Sequence, residues 1–146
     1  MVEDTTRAPE IAIRLLTPGD EDVVRELAEY DGPGDPEGLL ADPRSLMLVA
    51  FDGDSPVGFV LAHDLPRRHG DRSELFVYEV DVAESHQRRG IGSALLARLA
   101  ELAGEQGIWV GFVLTDEDNV PANALYRSTG GTPTKAVMWE FGYAAD

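Results

Sequence analysis

The strongest constraint on the fold is a strand that runs into a helix across a glycine turn. ELFVYEVDVA (74–83) reads as a long strand, ESHQRRGIG (84–92) follows it directly, and Gly90 to about Gly104 reads as a helix. Ile91, Leu95, Leu96, Leu99 and Leu102 recur at helical spacing on one apolar stripe. Strict alternation along the strand sets Phe76, Tyr78, Val80 and Val82 on one face and Val77, Glu79 and Asp81 on the other.

The rest of the chain extends this unit on both sides. IAIRLL (11–16) reads as a first strand after a frayed tail over residues 1–10. Thr17 as a cap and Pro18 in the first turn open a helix near 18–30 carrying Val23, Val24, Leu27 and Tyr30. DGPGDPEG (31–38) breaks the chain before a short helical piece around 36–41. SLMLVAF (45–51), DGDS (52–55) and PVGFVLAHDL (56–65) form a hairpin signal. IWVGFVLT (108–115) reads as a buried strand, NVPANALYRSTGG (119–131) as a short helix and AVMWEFGY (136–143) as a final strand. Helices interrupting a mixed sheet argue for one α/β domain over residues 11–146.

The glycine turn poses a question of charge. The chain carries 27 acidic and 12 basic side chains, a formal net charge of −15. Yet Arg88 and Arg89 stand together against Gly90-Ile91-Gly92. The first amides of a helix have no internal partner, and the helix dipole adds positive potential there. Glycine lets phosphate approach such a backbone. The turn therefore reads as a pyrophosphate cradle, against the plainer reading of a tight connection with solvated arginines. It matches neither the dinucleotide fingerprint nor the P-loop.

The same acidity argues against nucleic acid, which needs a basic footprint. It suits a cationic small molecule, which an acidic cleft concentrates, although surface acid also simply keeps a protein soluble. Without cysteine there is no disulfide and no thiol nucleophile. His63, His69 and His86 lack metal-ligand spacing, so no metal is expected. No apolar run approaches the roughly 20 residues needed to cross a bilayer. MVEDTTRAPE lacks the basic start and apolar middle of a signal peptide, and a cytoplasmic location is the expectation.

Gln87-Arg88-Arg89-Gly90-Ile91-Gly92 resembles the Gln/Arg-x-x-Gly-x-Gly/Ala signature of the GNAT N-acetyltransferases, and a Leu-rich helix follows it as in that family. Asn119, Ala122, Leu125, Tyr126 and Gly130 resemble the family's later Asn-x-x-Ala-x-x-Leu-Tyr…Gly segment, in the same order and separation. LPRRHGD (65–71), LFVYEVDV (75–82), GFVLTDEDN (111–119) and GGTPTKAVMWEFGY (130–143) resemble the aminoglycoside 3-N-acetyltransferase branch. The likeness covers about residues 46–143. It implies a mixed, mostly antiparallel sheet of about six to seven strands, splayed between 74–83 and 108–115 and flanked by about four helices.

The resemblance further implies acetyl-CoA as cosubstrate and direct attack of an amine on its thioester. The pyrophosphate would meet Gln87, Arg88, Arg89, Gly90, Ile91, Gly92 and Ser93. The pantetheine arm would bond to the backbone of Val80 and Val82, as an added strand does, and Asn119 would help hold it. Glu79 is the candidate base that takes a proton from the amine, with Asp81 as substitute. Tyr126, in the family's acid position, would protonate the departing thiolate.

Asp116, Glu117 and Asp118, with Glu140 and Tyr143, are candidates for holding an aminosugar's ammonium and hydroxyl groups. Each has a plainer reading. These are Glu79 facing solvent, Tyr126 in the core, Asp118 as the cap of the following helix, and Trp109 and Trp139 as core or wall. The resemblance also implies a homodimer paired through its last strands. The leading expectation is aminoglycoside N-acetylation at the 3-amino group of 2-deoxystreptamine. The alternatives are acetylation of a polyamine, peptide or metabolite amine, or a non-catalytic acetyl-CoA sensor.

Overall fold

The computed structural model describes residues 10–28 and 34–144. The elements run β1 (Ile11–Leu15), α1 (Glu21–Leu27), α2 (Pro36–Ala41), β2 (Ser45–Asp52), β3 (Ser55–Pro66) and β4 (Ser73–Val82). A 3-10 turn (Glu84–His86), α3 (Ile91–Glu105), β5 (Val110–Val113) and α4 (Val120–Ser128) follow. One sheet takes the strands in the order β1-β2-β3-β4-β5. The first four pair antiparallel, and β5 joins β4 in parallel because α3 returns the chain to the same end.

The class and the helices are those expected, but among the described residues the strands number five, not six or seven. The segment expected as a final strand, 136–143, forms none, because a strand exists only against a partner edge and this segment pairs with no other described residue. The first helix also starts later than expected. Gly19 lies at φ 111°, outside the helical region. Asp20, not Thr17, holds the N-cap position, although without a side-chain cap bond: its carboxylate accepts from the Thr17 amide and from Arg14, each at 2.9 Å, and Pro18 precedes the helix. The expected helix end near Tyr30 and the tail before Glu10 lie outside the described residues.

Two apolar layers flank the sheet. α3 lays Ile91, Leu95, Leu99 and Leu102 against Leu48, Val60, Leu75 and Val77, as its stripe predicts. α1 and α2 cover Met47, Val49, Phe59 and Leu61 on the other face. Leu95 is fully buried. Leu95→Ala should therefore lower the unfolding free energy by about 2–5 kcal/mol, transfer and cavity terms together, read by urea denaturation.

A bulge in β4 decides the geometry of everything that follows. Ala62 pairs with Val77, but Leu61 pairs with Glu79, so Tyr78 is an extra residue. The alternation changes phase there. Leu75, Val77, Val80 and Val82 all turn to the α3 layer. Glu79 and Asp81, opposite Leu61 and Phe59, turn to the α1–α2 face. The Tyr78 ring lies on that face too, against His63 and Phe76. The expected grouping of Phe76 and Tyr78 with Val80 and Val82 is thus overturned, as is that of Val77 with the two acids. One inserted residue shifts a period-two pattern by a full face.

Candidate active site

The parallel ladder between β4 and β5 runs only from Glu74–Val110 to Val77–Val113. Beyond Val77, β4 has no neighbour on that edge among the described residues, which is the expected splay between the two strands. The Ala83 amide donates to the Val57 carbonyl at 2.8 Å. Antiparallel alternation therefore turns Asp81 and Ala83 toward β3, and the backbone of Val80 and Val82 toward the open edge. The Val82 carbonyl already accepts the Gln87 side-chain amide at 3.0 Å. Gln87 positions the turn.

That turn forms a concave set of amides. Arg88 (φ 64°) and Gly90 (φ 77°) are both left-handed, with Arg89 between them. Such alternation curls successive N–H groups toward one point and favours an anion. No side chain caps α3, and its first helical bond runs from Ala94 to Gly90. The amides of Ile91, Gly92 and Ser93 are thus without helical partners. Arg88 and Arg89 are exposed and pair with no carboxylate among the described residues.

The two glycines differ in purpose. Gly90 faces open space and is required by its φ. A Cβ at Gly92 would meet Leu125 at 3.2 Å, so this glycine serves the α3–α4 contact. One fastening was missed in the sequence. His86 bonds the Ser85 hydroxyl at 2.7 Å and the Asp52 carboxylate at 2.9 Å, pinning the turn to the end of β2. The two residues are 34 positions apart, so no local pattern reveals the pair.

α4 is capped by Asn119, whose side-chain oxygen accepts from Ala122 at 3.2 Å, and Asp118 does not take that role. The amide nitrogen of Asn119 is what remains for a ligand. Asn123, also missed in the sequence, donates to the carbonyls of Asp116, Glu117 and Asn119 at 2.8–3.3 Å and holds the acidic turn against α4. Tyr126 is half-buried, and burial pushes its phenol above the ordinary value. It lines a groove of about 440 Å³ with Val77 and Val113, the last pair of the ladder, so it stands where the strands part. A phenol kept protonated in this way can donate a hydrogen bond into the groove.

Glu79 and Asp81 are exposed and make no ion pair with described residues. An aromatic surface shares their face. Phe76 stacks on Phe112 at 4.9 Å, and Tyr78 sits edge-on to Phe76 and His63. The bulge hid this surface from the sequence. Asp116, Glu117 and Asp118 line an open concavity of about 610 Å³. Glu140 and Tyr143 do not join them. Tyr143 stacks on Phe141, and among the described residues the segment's one ion pair runs from Lys135 to Glu117 at 3.2 Å. Trp109 and Trp139 are exposed rather than core, with Arg67 lying over Trp109 at 4.6 Å.

A ligand with phosphates at one end and an extended amide arm would lie from the mouth of α3 along the β4 edge to Tyr126. Among the described residues no group of three or more His, Asp or Glu side chains is placed to hold a metal ion. No helix there is long and apolar enough to cross a membrane.

Residues 12–130 match the acetyltransferase (GNAT) family. A mycothiol acetyltransferase of Pseudarthrobacter chlorophenolicus is 35% identical over 92 residues, which are 62% of this chain and 28% of that protein. A streptothricin acetyltransferase of Streptomyces lavendulae is 31% identical over 100 residues, 68% of this chain and 50% of that protein. The chain thus spans half or less of the length of these curated relatives. An aminoglycoside acetyltransferase from an uncultured soil metagenomic sample superposes with a TM-score of 0.83 at 26% identity, over 92% of this chain and 99% of that one.

Proposed function

The chain belongs to the acetyltransferase (GNAT) family, and from that premise we propose that it acetylates an amine of an aminoglycoside at the expense of acetyl-CoA. The nitrogen is the 3-amino group of the 2-deoxystreptamine ring, a choice that rests on the resemblance of residues 65–71, 75–82, 111–119 and 130–143 to that branch. The observation that carries the reading is the β4 bulge. It gathers Glu79, Asp81 and the Phe76–Tyr78–Phe112 surface on one face, beside the open Val80–Val82 edge.

Acetyl-CoA, when bound, supplies the acetyl group as a thioester. The amides of Ile91, Gly92 and Ser93, with Arg88 and Arg89, hold its diphosphate. Val80 and Val82 orient the arm as a neighbouring strand would. An aminosugar's amine is mostly ammonium at neutral pH and has no lone pair to offer. Glu79 takes that proton, directly or through water, the nitrogen forms its bond to the carbonyl carbon as the carbon–sulfur bond breaks, and the second proton the nitrogen then sheds returns through water to replace the one Tyr126 gives up. Tyr126 gives its proton to the leaving sulfur. Asp81, Asp116, Glu117 and Asp118 attract the remaining ammonium groups, and the aromatic surface accepts them by cation–π contact. The streptothricin and aminoglycoside relatives support a cationic aminosugar guest.

Thiol release measured over gentamicin, apramycin, spermidine and peptide amines tests the substrate class. Turnover with the aminoglycosides and acetylation of the 3-nitrogen in the product are expected. Turnover confined to spermidine or peptides would move the assignment to another amine. Acetyl-CoA binding with no turnover would make the chain a sensor.

Gly90→Val should weaken CoA binding about tenfold or more by calorimetry, because a left-handed β-branched residue costs about 1–3 kcal/mol and the turn relaxes out of shape. Gly90→Asn, which tolerates that conformation, should retain most of the affinity.

A further inference from the structure

The turn that opens α3 has a shape it would not keep unaided. Arg88, at φ 64°, is the one non-glycine residue with a left-handed backbone among the described residues. A long side chain is disfavoured there, and such a residue persists only where its surroundings over-determine it. The fastenings stand immediately before it. Gln87 bonds the Val82 carbonyl, and His86 bonds the Ser85 hydroxyl and the Asp52 carboxylate. The His86 amide also donates to the Ala83 carbonyl at 2.8 Å.

Asp52 reaches His86 because of the way β2 ends. Leu46, Leu48 and Ala50 turn to the α3 layer, and alternation places Asp52 next in that row. The facing strand carries a bulge at Val57, since Ala50 pairs with Gly58 and Phe51 with Pro56. The carbonyl of that bulged residue accepts the Ala83 amide at 2.8 Å, where the chain leaves β4. Gly58 lets Ile91, the first residue of α3, close on the strand, because a Cβ there would meet Ile91 at 3.3 Å. The β2–β3 hairpin thus grips the turn at both ends, and Asp52 grips it between. A carboxylate only accepts, so Nε2 of His86 carries the hydrogen and, in the neutral ring, Nδ1 accepts from Ser85. The two side chains are 16% and 30% exposed, and this shielding strengthens the bond over that of a surface pair.

We propose that Asp52, acting through His86, is a positioning residue for the coenzyme, holding the turn in its concave shape before a diphosphate arrives. This role rests on the acetyl-CoA reading above. Coenzyme binds only those molecules whose turn carries the Arg88–Gly90 curl, so its apparent Kd is the intrinsic value divided by their fraction. With the clamp in place that fraction is near one. Without it Arg88 relaxes to an ordinary backbone, and the N–H groups that converge with those of Ile91, Gly92 and Ser93 turn away. Asp52 therefore acts on coenzyme affinity rather than on the transfer step.

Calorimetry with coenzyme A and hydrogen exchange of the free chain test this together. Asp52→Ala and His86→Phe remove the bond, while Asp52→Asn keeps an acceptor for the Nε2 hydrogen. Kd should rise about tenfold in the first two, the effect of a competent fraction near one in ten. Asp52→Asn should stay within about threefold of wild type. Exchange should quicken at residues 88–93 in Asp52→Ala and His86→Phe and stay unchanged at Val60 and Leu95, which separates release of the turn from general destabilisation. Equal weakening by Asp52→Asn, or exchange that quickens in the core as well, overturns the role. A wild type that does not bind coenzyme A overturns the acetyl-CoA reading and this role with it. A wild type that binds, beside an Asp52→Ala that binds equally well, overturns this role alone.

Discussion

Tyr126→Phe should reduce kcat by about 10²–10⁴-fold, the range of a positioned general acid, with the Michaelis constant for the amine little changed. The substitution removes one hydroxyl and keeps the ring that lines the groove beside Val77 and Val113, so folding and cofactor binding should persist. The pH dependence has a definite sign. Burial holds the phenol above its ordinary value, so the donor stays protonated throughout the neutral range. Its contribution should disappear only as the pH rises past the ordinary phenol range. Steady-state thiol release across alkaline pH checks this. A variant with undiminished kcat would remove Tyr126 from the chemistry and leave it a groove residue.

Glu79→Gln should cost a comparable factor, about 10²–10⁴ in kcat/KM near neutrality. The deficit should shrink as the pH approaches the amine's own value, where the substrate already carries a lone pair. The measurement is the variant-to-wild-type ratio against pH. A ratio flat from acid to alkaline conditions would show that Glu79 orients the guest without moving its proton. Asp81→Asn is the natural control, since Asp81 shares the face of Glu79 two positions further along β4. Should Asp81→Asn alone produce the pH-dependent loss, the base is Asp81.

Much of the geometry of α3 and the turn before it was legible in the sequence. The α3 stripe of Ile91, Leu95, Leu99 and Leu102 became the buried face, and Gly90 took the left-handed turn that opens the amides beyond it. The face of β4 that carries Glu79 and Asp81 was less legible. Strict alternation put Tyr78 with the valines, and one inserted residue moved it to the face of Phe76 and the two acids. Asn119 rather than Asp118 caps α4, a choice between adjacent polar residues that composition leaves open. The strand expected over 136–143 failed for a different reason. Its pattern is that of a strand, but pairing is a property of two segments, and the chain leaves this one exposed.

The sequence by itself determined the helix whose first amides lack partners, the arginines beside them, the acidic balance and the tyrosine of α4. These are properties of one stretch of chain, set by spacing, side-chain volume and the missing bonds of a helix start. Only the tertiary structure decided which face Glu79 and Asp81 share, that Asp52 holds His86, and that among the described residues β5 pairs with β4 alone. Each depends on register or on residues far apart along the chain. Register is fixed by how whole strands bury their apolar faces against the layers above and below, which no local pattern encodes.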